Sequence, residues 1–342
     1  MKFLRFLLFP FSIIYDLVTT IRNFFFDIGI FKQTSFKIPV IVIGNLSVGG
    51  TGKTPQIEYL IRLLKDQFKT AVLSRGYKRK TAGYVLLNDS HSANDVGDEP
   101  LQYFKKFKNI NVVVDANRVA GITNLIDQKS PEVVLLDDAF QHRKVKGSFY
   151  ILLTKYDDLF SDDFLLPTGN LREGRRGAKR ANVILVTKCP DDLSENSKES
   201  IQKKLKKYSK EIFFTTISYD EKTSGTQNIL VDDLSNYKVL LITGIANPNP
   251  LLTFLTDKNV NYKHLKFADH HHFSENEISE IKKEFKNIKS TKKLILTTEK
   301  DYVRLESKLD TISFLGIQTS FLDDEEKFNS IIKSHINQNQ RC

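Results

Sequence analysis

Ser47-Val48-Gly49-Gly50-Thr51-Gly52-Lys53-Thr54 joins an apolar, β-branched run to a helix-forming one, and no other stretch restricts this chain as much. Pro39 to Ile43 reads as a buried strand, and the apolar spacing that follows predicts a helix from about Lys53 to Gln67. A glycine-rich turn between strand and helix is the setting of a phosphate-binding loop. Glycines let backbone N–H groups turn inward onto phosphate oxygens, and the helix N-terminus adds partial positive charge. Lys53 is then expected on the β- and γ-phosphates and Thr54 on Mg²⁺. The consensus has glycine where this chain has Ser47, but Gly49 and Gly50 keep the turn flexible.

The rest of the chain repeats the same alternation. Thr70 to Leu73, Asn111 to Val114, Glu132 to Leu136, Phe149 to Leu153 and Asn182 to Val186 are short continuous apolar runs between helical patterns. Such runs predict a parallel sheet covered on both faces, the α/β layer architecture. The polar stretch Ser218 to Gln227 interrupts the pattern, and a second set begins at Tyr237 to Ile242. It continues with helices near Asn249 to Asp257 and Ser274 to Lys289 and a strand at Lys293 to Thr297. A boundary between two α/β units is therefore expected within residues 218–230.

Lys and Arg number 51 against 41 Asp and Glu, a net charge of +10, so the surface attracts anions without specifying which. Cys189 and Cys342 match no metal-ligand spacing and form no disulfide framework, as expected for a reducing compartment. The uncharged stretch Phe6 to Tyr15 is too short to span a bilayer, which takes about 20 apolar residues. It begins a helical stripe instead. Leu4, Phe11, Val18 and Phe25 recur every seven residues, as do Leu7, Ile14, Ile21 and Ile28, with Ser12, Asp16, Thr19, Asn23 and Asp27 opposite. With Lys2, Arg5 and Arg22 beside it, the stripe fits either a membrane interface or the protein's own core.

Three acidic sites complement the loop. The run from Glu132 ends in Asp137 and Asp138, where P-loop enzymes place a Mg²⁺-holding carboxylate. In Gly97-Asp98-Glu99-Pro100, Asp98 is either a helix cap or a base that takes the proton of an attacking hydroxyl, with Glu99 near the metal. Asp269-His270-His271-His272-Phe273 is a poor chelate, because consecutive side chains point in alternating directions; one histidine reaching the active site is the other reading. Arginines cluster at Arg75 with Lys78, Arg79 and Lys80, and at Arg172 with Arg175, Arg176, Lys179 and Arg180, either as phosphate contacts or as solvated loops.

Taken in order, these motifs resemble those of the tetraacyldisaccharide 4′-kinase (lipid A 4′-kinase) family. The resemblance is carried by Gly44 to Pro55, Ser74-Arg75-Gly76-Tyr77, Gly97 to Pro100, Leu136 to His142, Pro167 to Glu173 and Asp269-His270-His271, and spans roughly residues 1–305. It implies a P-loop NTPase-like αβα sandwich with a mostly parallel sheet and a second, smaller α/β domain that closes over the nucleotide. The implied organisation is an amphipathic membrane-associating helix in 1–30, a P-loop kinase domain in 31–220 and the smaller domain in 228–342. The implied activity is transfer of the γ-phosphate of ATP to the 4′-hydroxyl of a tetraacylated glucosamine disaccharide 1-phosphate. It would take place at the cytoplasmic face of the bacterial inner membrane, on an anionic lipid surface, with no nucleic acid and no obligate protein partner.

Residue by residue, the resemblance makes Asp98 the proton acceptor and His270 its partner, with His271 the alternative. Lys53 contacts phosphates within the loop Ser47, Val48, Gly49, Gly50, Thr51, Gly52, Lys53, Thr54. Thr54, Glu99 and Asp137 or Asp138 organise Mg²⁺, and Arg75, Tyr77, Arg118, His142 and Arg172 contact the headgroup or phosphate. Two rival readings exist, a nucleotide-switch GTPase and a membrane-recruited ATP-dependent scaffold. Thr187-Lys188-Cys189-Pro190-Asp191 loosely resembles a guanine-reading loop, but the leading Asn is absent and Asp191 falls one residue late.

Overall fold

The β-branched runs form the strands that their composition predicts, and two sheets result. A computed structural model describes residues 5–209 and 211–340; Lys2, Leu4, Lys210 and Cys342 lie outside the described residues. The large sheet contains β1 (Val40–Asn45), β2 (Thr70–Ser74), β3 (Val85–Leu86), β4 (Asn111–Val114), β5 (Val133–Leu136), β6 (Phe149–Lys155), β7 (Val183–Thr187) and β8 (Glu211–Tyr219). The small sheet contains β9 (Ser224–Gly225), β10 (Lys238–Thr243), β11 (Asn261–Lys266), β12 (Lys293–Thr298) and β13 (Ser313–Leu315). β14 (Ile317–Phe321) returns to the large one, whose order is β14-β8-β7-β6-β1-β5-β2-β4-β3.

Pairing is parallel from β8 across to β4, with antiparallel strands at the two edges. Alternate residues feed opposite faces, as the pleat requires. Val72, Val112 and Val114 join the core beneath helix Lys53–Leu64, while Ala71, Leu73 and Val113 pack with Ile122 and Leu125 of helix Arg118–Lys129. In the small sheet, Val239 and Leu241 meet Leu251 and Leu255 on one face, and Leu240 and Ile242 meet Ile278 and Ile281 on the other.

The expected second unit ran to residue 342, and the structure corrects its end. β14 pairs with β8, Phe321 opposite Thr215, and helix Glu325–Gln340 buries Phe328, Ile332 and Ile336 in the core shared by Ile57 and Leu60 of the P-loop helix. The small sheet is thus an excursion between β8 and β14. Nothing local in IQTSF marks that return, because an edge strand's partner is set by the path of the chain.

Helix Phe9–Asp27 does not bury its apolar stripe in the protein's own core. Its polar side faces the protein: Ser12 Oγ lies 2.7 Å from Thr168 Oγ1, Tyr15 donates to the carbonyl of Arg172 at 2.9 Å, and Asn23 Nδ2 donates to Glu173 at 2.8 Å. Leu7, Phe11, Ile13, Ile14, Leu17, Val18, Ile21 and Phe24 point outward and are exposed. A core-packed amphipathic helix has the opposite polarity. Each such side chain left in water forgoes about 1.5–3 kcal/mol of burial, so the outward face asks for an apolar surface. No described helix is long and apolar enough to cross a membrane.

Candidate active site at the carboxyl edge of the large sheet

Ligands of open α/β sheets lie beyond the carboxyl ends of the strands, and the predicted residues gather there. β1 ends at Asn45, whose side-chain amide donates to the carbonyl of Ser47 at 2.6 Å and holds the first bend of the loop. Gly52 caps helix Lys53–Leu64 with φ +81°, a conformation that glycine adopts without penalty. Gly44 is needed for a different reason. A Cβ there would stand 2.7 Å from Phe140 Cβ, so the turn carrying Asp137 and Asp138 can lie directly on β1.

Lys53 Nζ sits 3.2 Å from Asn45 Oδ1 and 3.6 Å from Asp138 Oδ1. Arg172 Nη1 donates to Asp138 at 3.1 and 3.3 Å, from a segment that also pairs with the loop: its amide donates to Leu46 O, and Val48 N donates to Asn170 O, both at 2.8 Å. Asp137 is buried and accepts from Ser74 Oγ at 3.1 Å. Burial first, then the charges of Asp138 and Glu99, push Asp137 up to about 7, against the pull of Lys53. Glu99 therefore stands close enough for its charge to act on Asp137.

Arg75, Arg118 and His142 share one positive neighbourhood beside these carboxylates. Arg118 is buried, and burial lowers it to about 10; Asp137 opposes that shift while Arg75 adds to it. Burial and then Arg118 hold His142 down at about 4, so its imidazole is neutral, with Nε2 buried and unpartnered among the described residues. Arg118 Nε is likewise buried without a partner. Unsatisfied buried polar nitrogens of this kind call for a partner from outside the protein, water or ligand.

Asp98 does not cap its helix. It is the first residue of helix Asp98–Lys106, and its carboxylate turns to the small sheet. His270 Nδ1 lies 2.7 Å from Asp98 Oδ2, across 172 positions of sequence. His271 takes a different partner, Glu277 Oε1 at 2.9 Å, as the alternating direction of consecutive side chains predicts. Tyr77, exposed, lies T-shaped to His270 with ring centroids 6.1 Å apart.

Two residues of this site have no counterpart in the sequence reading. Lys300 Nζ donates to His270 Nε2 at 3.0 Å, which leaves the Nδ1 proton for Asp98. Arg304, one turn later on helix Glu299–Leu305, donates to both oxygens of Asp98 at 2.6 Å. Burial pushes Asp98 toward the neutral form, but hydrogen bonds from His270 and Arg304 outweigh it and hold the carboxyl below the usual carboxylate range. Spacing of four on a helix places 300 and 304 on one face, yet nothing local tells which acid that face will meet.

Among the described residues no group of three or more His, Cys, Asp or Glu side chains is arranged to hold a metal ion by itself. Magnesium takes hard oxygen donors, keeps several waters and shares phosphate oxygens, so it needs only one or two protein carboxylates. The mutual repulsion of Asp137, Asp138 and Glu99 supplies the negative charge such an ion requires.

The chain matches the family model Tetraacyldisaccharide-1-P 4′-kinase over residues 4–337. It is similar to the Tetraacyldisaccharide 4′-kinase of Flavobacterium johnsoniae, 53% identical and covering 99% of each chain. It is 34% identical to the protein of that name from Porphyromonas gingivalis, covering 93% of each. Among solved structures it resembles LpxK from Aquifex aeolicus, crystallised in complex with ATP, with a TM-score of 0.79, 29% identity, and coverage of 97% of this chain and 99% of that one.

Proposed function

The chain belongs to the tetraacyldisaccharide-1-P 4′-kinase family, and from that premise we propose how its residues divide the work. The enzyme is a kinase of lipid A biosynthesis. It moves the γ-phosphate of ATP to the 4′-hydroxyl of a tetraacyldisaccharide 1-phosphate. Membership of this family leaves no support for the switch or scaffold readings.

A sugar hydroxyl is a weak nucleophile, so catalysis rests on a positioned base and a clamped phosphate. Lys53 and the backbone amides of Ser47 to Thr54 hold the β- and γ-phosphates. Thr54, with Glu99 and either Asp137 or Asp138, would hold Mg²⁺, which would supply positive charge against the phosphate oxygens. Asp98 takes the proton of the 4′-hydroxyl. His270 orients Asp98, and Lys300 fixes the histidine's tautomer. Arg75, Arg118, Tyr77, His142 and Arg172 grip the phosphorylated headgroup, to which Arg118 and His142 offer unpartnered buried nitrogens.

The observation that carries this division is the Asp98–His270 contact. It joins the helix after Gly97 to a loop of the small sheet, beside a glutamate whose charge reaches Asp137. The small sheet and its helices act as a second domain that closes over the nucleotide. The outward apolar face of helix Phe9–Asp27 lies on the cytoplasmic leaflet, where the acylated substrate presents its head. The test is transfer of labelled γ-phosphate to an acylated glucosamine disaccharide 1-phosphate. Wild type transfers it and folded Lys53→Ala does not; turnover by the variant at the wild-type rate overturns the assignment of the loop.

A further inference from the structure

The segment Thr187 to Pro190, which does not have the spacing of a guanine-reading loop, nevertheless meets the phosphate loop directly. Thr187, at the carboxyl end of β7, donates from Oγ1 to the carbonyl of Thr51 at 2.8 Å. Its own carbonyl accepts from Tyr156 N, and Cys189 N donates to Thr215 O, each at 3.0 Å. Both ends of the turn are therefore held. Between them Lys188 has φ +58°, left-handed backbone that a bulky side chain adopts only where its surroundings impose it. The turn directs the lysine back over the loop, with Nζ 4.0 Å from where a Cβ on Gly50 would stand. Among the described residues Lys188 makes no ion pair.

Strand order says which part of the nucleotide passes this lysine. From β1, Asp98, Asp137, Asp138, Arg75 and Arg118 lie toward one edge of the sheet, while Arg172 reaches Asp138 from the connection between β6 and β7. Asp137 and Asp138 follow β5, Arg75 follows β2, and Asp98 opens the helix before β4. The transferred phosphate and its acceptor occupy that side. The nucleoside must then leave the loop on the other side, over β6 and β7, where Lys188 stands.

We propose that Lys188 is a nucleoside-side contact for ATP, its methylene chain lying along the ribose and base and its ammonium held over the crest of the phosphate loop. Lysine suits the task, since its stem covers apolar ring surface while the charged head stays near polar groups and the face of an aromatic base. The inference rests on the reading of Ser47 to Thr54 as the ATP site.

Binding of Mg²⁺-ATP and of Mg²⁺-tripolyphosphate to the full chain tests it. Lys188→Ala is expected to weaken ATP about ten-fold, the size of a modest cation–π and packing contact, and to leave tripolyphosphate within about two-fold. KM for ATP should rise, with kcat falling less and KM for the acylated disaccharide holding. Lys188→Arg, which keeps the stem and charge, should recover part of the loss and guards against a misfolded alanine variant. Wild-type ATP affinity in Lys188→Ala overturns the proposal, and so do equal losses for ATP and tripolyphosphate. Lys53→Ala must lose both ligands; if it binds both normally, the phosphate-loop reading itself has failed and not only the role of Lys188.

Discussion

Arg304 holds both carboxylate oxygens of Asp98, Nε at 2.6 Å from Oδ1 and Nη2 at 2.6 Å from Oδ2, while His270 stands 2.7 Å from Oδ2. A carboxylate offers roughly four lone-pair positions, so one is left for a substrate proton. The same arginine donates to the carbonyl of His271 at 2.6 Å and so ties the histidine loop to the acid it serves. It keeps Asp98 ionised and aimed, at some cost in basicity.

Replacing Arg304 should therefore reveal a change in proton affinity and not merely in folding. Arg304→Ala leaves a buried carboxylate with one fewer partner, and its pKa should rise toward the neutral-favouring limit set by burial. The acid limb of the kcat/KM profile then moves to higher pH. Arg304→Lys should restore it only in part, because an ammonium cannot make the two-pronged contact. An acid limb that stays in place would mean that Arg304 is structural only.

Asp98 and His270 should behave as one unit. Asp98→Ala is expected to lower turnover by about two to four orders of magnitude, the usual contribution of a positioned base. His270→Ala should lower it less, and the double variant should be far less impaired than the product of the single losses. Multiplicative losses with lowered melting temperatures would instead describe two independent structural residues.

The outward apolar face makes a prediction about surfaces. Leu7 and Ile14 are 74% and 60% exposed, so aspartate at both should leave melting nearly unchanged, within about 0.5 kcal/mol per site. Sedimentation with anionic vesicles should be lost. If the wild type does not sediment, or if the double variant sediments equally well, this face has another use.

A buried cluster beneath the site gives a pH dependence of stability. Lys106 Nζ bridges Glu58 Oε2 at 2.7 Å and Glu299 Oε2 at 2.8 Å, joining the P-loop helix to the helix that carries Arg304. Burial and then Glu58 raise Glu299 from 4.5 to about 7. Between those values the folded protein keeps a proton that the unfolded chain releases, so this contribution is whole below 4.5 and is lost as pH rises through about 7. Glu299→Gln should make the slope of melting temperature against pH less negative across that window. Lys106→Met, which strands two buried carboxylates, should cost about 3–5 kcal/mol; an unchanged slope in Glu299→Gln would refute the linkage.

Much of this protein was legible in its sequence, because the informative signals are local. A strand, a glycine turn and Lys53-Thr54 specify a phosphate loop through spacing alone, and continuous apolar runs specify a covered parallel sheet. Asp137 and Asp138 announce themselves by ending such a run. The polarity of the first helix was equally plain, since Ser12, Asp16, Thr19 and Asn23 recur on one side. Which side met the protein was not, because a hydrophobic stripe reads alike whether it faces a core or a bilayer. Tertiary structure decided it by filling the inward side with hydrogen bonds from Ser12, Tyr15 and Asn23. It also returned β14 to the large sheet, chose His270 over His271, turned Lys188 onto the phosphate loop and brought Arg304 to Asp98 across 206 positions. Those contacts depend on where distant segments come to rest, and residue spacing encodes only the geometry of a segment with itself.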